Sequence, residues 1–63
     1  MTITYRYIRS GQIEELKIET LDRAMGLAAL NFRESIEPIE IVDGDRMYGV
    51  AEMKQYIKEH KLN

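Results

Sequence analysis

The opening of the chain alternates. From Thr2 to Arg9 (TITYRYIR) β-branched and aromatic residues take turns with polar ones, and from Gln12 to Thr20 Leu16 and Ile18 alternate with Glu15, Lys17 and Glu19. A period of two is the pattern of a strand with one buried face. Ser10-Gly11 separates the two runs, and glycine accepts the positive φ that a two-residue hairpin loop requires. Such a loop fixes the register. It sets Ile3 opposite Ile18 and Tyr5 opposite Leu16 on one face, and Thr4 opposite Lys17 and Arg6 opposite Glu15 on the other. Apolar meets apolar and plus meets minus, as cross-strand pairing favours. Ile8 opposite Ile13 breaks the pattern, an apolar pair on the polar side.

At Leu21 the period changes. Leu21, Ala24, Met25, Ala28 and Phe32 fall on one helical stripe, with Thr20 placed to cap the first turn and Asp22 to complement its dipole. Gly26 weakens the helix mildly. The helix is expected to end near Ser35, because the residue before Pro38 avoids helical geometry. At about 100° per residue, Leu27 and Leu30 fall on the far side, near Arg23 and Glu34.

Ile39–Val42 (IEIV) predicts a third strand, Asp43-Gly44-Asp45 a turn, and Arg46–Tyr48 a brief fourth strand. A three-residue loop would set Ile41 opposite Met47. After Gly49 a second helix is expected from about Val50 to about Lys61, with Val50, Met53 and Ile57 on its apolar stripe and Tyr56 and His60 at the margin.

The order ββαβ(β)α implies one α+β domain over residues 1–63, a two-layer sandwich. Its small, mainly antiparallel sheet would carry both helices on one face. The third strand should run parallel to the second after a right-handed crossover. The pattern leaves open whether it lies beside strand one or strand two. The expected core is Tyr5, Leu16, Ile18, Leu21, Met25, Ala28, Phe32, Ile41, Met53 and Ile57.

Composition narrows the function. The 63 residues are 44% hydrophobic and 32% charged, a globular balance and not a disordered one. With no cysteine there is no disulfide framework and no thiol chemistry. No apolar run approaches the ~20 residues of a membrane span, and no apolar segment near the start reads as a signal peptide. A cytoplasmic protein without membrane contact is therefore expected. A domain of about 60 residues is marginally stable. Without disulfides or an evident metal site, self-association is the simplest added support. The net charge of −2 disfavours a broad grip on nucleic acid phosphates.

Neither catalysis nor metal binding finds its residues. Glu40, Asp43 and Asp45 lack the spacing of a calcium loop, and Asp-Gly is a turn pair. His60, the one histidine, falls in the last turn of a helix, where a solvated cation suits the macrodipole. No carboxylate stands in an apolar run, and no phosphate-cradling glycine loop or nucleophile elbow occurs. No enzyme activity, cofactor or metal is expected. Two binding readings remain. Tyr5, Arg6, Tyr7 and Arg9 interleave aromatic and basic residues, as a nucleic-acid-binding or regulatory factor could use. The register, however, turns Tyr5 inward and answers Arg6 with Glu15. Leu27, Leu30, Ile8 and Ile13 lie off the expected core faces, and they favour a non-enzymatic protein-interaction module whose partner is a second copy in a homodimer. A sheet covered on both faces, or a rotated helix, would instead absorb them into the core.

Overall fold

The hairpin register follows from its loop. Ser10 and Gly11 both take positive φ, 54° and 78°, the pattern of a type I′ turn. In a computed structural model describing residues 2–62, this loop joins β1 (Ile3–Arg9) to β2 (Gln12–Ile18). Ile3↔Ile18, Tyr5↔Leu16, Arg6↔Glu15 and Ile8↔Ile13 are all paired as the alternation predicts. The chain continues through α1 (Leu21–Phe32), β3 (Glu37–Asp43), β4 (Arg46–Tyr48) and α2 (Val50–His60). The result is a small α+β domain built on a four-stranded antiparallel sheet of order β2-β1-β3-β4. β1 runs against both β2 and β3, so β3 runs parallel to β2 with β1 between them.

Local chemistry sets the element ends. Thr20 Oγ1 accepts from the Arg23 N–H at 3.2 Å, the expected N-cap. The end of α1 comes earlier than expected, at Phe32. There Arg33 N–H bonds Leu30 O at 3.1 Å and Glu34 N–H bonds Asn31 O at 3.0 Å, a tightening of the last turn that closes the helix. β3 is longer than Ile39–Val42 because a bulge lets it start at Glu37. Arg6 pairs with Glu40 and Tyr7 with Pro38, which leaves Ile39 as the extra residue. Pro38 has no N–H for the ladder, and a bulge is where a sheet tolerates it.

The β3–β4 turn also differs from expectation. Asp43 pairs with Arg46, so the loop is two residues long, Gly44-Asp45, with positive φ only at Gly44 as in a type II′ turn. Ile41 therefore faces Tyr48, and Met47 faces Val42. This register puts the large ring of Tyr48 inside and turns Met47 out to solvent, 65% exposed.

Both helices pack on the face that carries Ile3, Tyr5, Tyr7, Ile41 and Tyr48. Tyr5, Ala24, Met25, Ala28, Ile41 and Met53 have no exposure at all. Ile57 and Ala29 complete the centre, and Ile18, Leu21 and Phe32 pack half-buried around it. One expected core member is outside: Leu16 is 41% exposed because α1 leaves the outer side of β2 uncovered. Val50, expected on the apolar stripe of α2, is exposed at its first position. Leu27, expected on the far side of α1, is half-buried against the core. The alanines at 24, 28 and 29 bring the α1 backbone close to the sheet, so a flanking leucine reaches the core margin.

The buried polar group is Asn31, whose Nδ2 donates to Tyr5 Oη at 2.7 Å. This bond ties α1 to the central strand. Tyr5→Phe leaves the amide donor unanswered and should destabilise the fold by about 1–3 kcal/mol. Adding Asn31→Leu removes the orphaned donor and should recover much of that loss. Urea unfolding of the two single variants and the double variant measures the coupling.

Candidate interaction surface

The sheet face opposite the helices carries three cross-strand rows. Lys17, Thr4, Val42 and Met47 form the first, Glu15, Arg6 and Glu40 the second, and Ile13, Ile8 and Glu37 the third. Arg6 is the hub: its Nε lies 2.9 Å from Glu15 Oε1 and its Nη1 pairs with Glu40, so one guanidinium ties β1, β2 and β3 together. Lys17 Nζ adds a contact to Glu15 at 3.4 Å and donates to Thr4 Oγ1 at 2.8 Å. Hydrogen bonds from Arg6, then from Lys17, hold the Glu15 carboxyl below its ordinary range. At the hairpin end Ile13 is 69% exposed, while Ile8 beside it is half-buried.

The residues of the nucleic-acid reading are all engaged. Tyr7 is buried and its hydroxyl donates to Glu14 at 3.0 Å, Arg9 Nη2 lies 2.9 Å from Glu14 Oε1, and Arg6 is held by its two glutamates.

A second surface runs along the outer side of β2. β2 is an edge strand, and its helix-side residues Leu16 and Ile18 sit at the margin of the helix layer. The α1 flank toward α2 is identified by the Tyr56 hydroxyl, which donates to Asp22, and by a groove of about 590 Å³ between the helices. At about 100° per residue Leu27 falls on the opposite flank, toward β2, whereas Leu30 falls opposite the buried residues Ala24, Met25 and Ala28 and faces outward. Leu30 is 52% exposed. Leu16 on the free strand edge and Leu27 on the adjoining flank of α1 thus lie at the margin of the core, with Leu30 exposed on the outer side of the helix. The alternation of β2 shows that Leu16 belongs to the helix face. Its exposure depends on where α1 lies, which periodicity does not encode.

Elsewhere the chemistry is sparse. The inter-helix groove is lined by Ala29, Phe32 and Ile57 with Arg33, Lys54 and Lys58, so neither a carboxylate nor a hydroxyl stands in it. The Lys54 ammonium sits 5.2 Å from the Phe32 ring centroid. His60 is exposed, stacks on Tyr56 at 3.9 Å and bonds the Tyr56 carbonyl through Nδ1 at 2.9 Å. Among the described residues no group of three or more His, Cys, Asp or Glu could hold a metal ion, and no helix is long and apolar enough to cross a membrane. No protein-family model, curated protein or solved structure matches the chain.

The seam between the helices predicts an alkaline response. The hydrogen bond to Asp22 first, then burial and the Asp22 charge, push the Tyr56 phenol from 10.0 up to about 12. Burial raises Tyr5, and the bond to Glu14 raises Tyr7. A raised acid keeps its proton longer when folded, so this stability is complete below pH 10 and is lost as pH climbs toward 12. Urea midpoints should fall across that window, less steeply in Tyr56→Phe.

Proposed function

We propose that this chain is a non-enzymatic interaction domain that self-associates as a homodimer. The observation that carries the reading is Leu16, exposed on the unpaired edge strand β2, with Leu30 exposed on the helix layer above the sheet. Scattered surface leucines need no partner. An apolar side chain exposed on an open strand edge presents both apolar area and unpaired peptide groups, and a second copy covers both. The hairpin-tip pair supports the reading less, because only Ile13 is well exposed and Ile8 is half-buried.

Leu30→Glu separates interface from core. Leu30 is half exposed in the protomer, so the substitution should change protomer stability by no more than about 0.5 kcal/mol. An isologous interface repeats the new charge on both sides of the axis, so the dimer should be lost. Leu27→Glu puts charge against the core and should unfold a large fraction of the chain. Sedimentation equilibrium with circular dichroism reads both effects. A wild-type chain that sediments as a monomer across the accessible concentration range would refute self-association.

A further inference from the structure

Resting on the self-association reading above, we propose that two copies join by antiparallel pairing of their β2 strands about a two-fold axis at Leu16. β2 is the longer of the two sheet edges, with seven residues against the three of β4. Its hydrogen-bonding phase follows from the hairpin. Arg9 and Gln12 flank the two-residue loop and form a hydrogen-bonded pair, and such pairs alternate with non-hydrogen-bonded ones along the ladder. Gln12, Glu14, Leu16 and Ile18 therefore direct their peptide groups at β1. Ile13, Glu15 and Lys17 direct theirs at the open edge.

A new strand must bond those outward groups, and a two-fold axis normal to the sheet allows few registers. Centring on Glu15 or on Lys17 sets a residue against its own charge, and centring on Glu14 does the same on the helix face. Centring on Ile13 overlaps only Gln12–Glu14 of the strand, and centring on Ile18, which would set Lys17 opposite Glu19, overlaps only Ile18 itself. Centring on Leu16 sets Glu15 opposite Lys17 of the other copy, twice, as hydrogen-bonded pairs, and sets the two Leu16 side chains together as a non-hydrogen-bonded pair, where approach is closest. Charges on edge strands usually deter pairing. Here Glu15 and Lys17 oppose the registers centred on themselves and favour this one. The same axis keeps both helix layers on one side of the joined sheet, so the Leu27 flanks of α1 face each other across it.

Amide exchange on the unaltered protein tests the register. In a lone protomer the Glu15 and Lys17 amides are free and exchange fast, whereas those of Glu14 and Leu16 are held by β1. Edge pairing slows Glu15 and Lys17 by about tenfold or more, increasingly with protein concentration. The second arm is Lys17→Pro, which an edge strand tolerates where the N–H faces solvent and which removes one outward donor from each copy. It should stay folded and sediment as a monomer. A wild-type dimer whose Glu15 and Lys17 amides exchange like free peptide overturns edge pairing, as does a Lys17→Pro variant that remains dimeric. Either result leaves dimerisation through α1 standing if Leu30→Glu abolishes it. If Lys17→Pro does not fold, the wild-type exchange rates decide alone.

Discussion

The pairing of β1 with β3 is the constraint on which the rest depends. It joins residues 29 to 38 positions apart and places Tyr5 opposite Ile41, both without exposure, at the centre of the sheet. Closing so long a loop costs entropy, which is recovered only when α1 and α2 cover the pair. The Tyr5–Asn31 hydrogen bond fixes where α1 crosses it. Once β3 lies against β1, β2 is left as an edge with one neighbour. Had β3 docked against β2, the outer edge would have been β1, and Leu16 would have lain in the interior.

Electrostatics reinforces that arrangement from the other face. Arg6 stands on the central strand and reaches a glutamate on each neighbour, so the ion pairs cross both β1 interfaces. Exposed pairs of this kind contribute little singly, typically about 0–1 kcal/mol. Their value here is in register. A slip of one residue in either partner strand would turn a glutamate to the helix face and an apolar residue to solvent.

Much of this was legible in the residues. Period-two alternation with Ser10-Gly11 gave the whole hairpin register, and Thr20 marked the start of α1. What escaped was set by tertiary geometry. The two-residue Gly44-Asp45 turn was hidden because Asp43-Gly44-Asp45 suits either loop length, and the burial of Tyr48 decided between them. The bulge at Ile39 reflects the need to place Pro38, which alternation does not announce. Tyr7 is buried because its ring packs beside Tyr5 on the helix face, and Glu14 accepts a hydrogen bond from its hydroxyl. Of the candidate site, Leu30 was visible as a leucine off the helical stripe. Leu16 was not, because its exposure follows from the strand order and the position of α1.

The β2 edge leaves unpaired peptide groups and the exposed Leu16 side chain on one unfinished boundary. One covalent measurement reports directly on whether a second copy completes it. The chain has no cysteine, so Leu16→Cys introduces a single thiol at the proposed two-fold axis. In a non-hydrogen-bonded antiparallel pair the two Cα atoms lie about 4.5 Å apart, within disulfide reach. Under mild oxidation, Leu16→Cys should convert rapidly and nearly completely to a disulfide-linked dimer that keeps its circular dichroism spectrum, while Gln12→Cys, at the far end of the same strand, should not. Equal, slow linkage of both variants would contradict pairing at this edge.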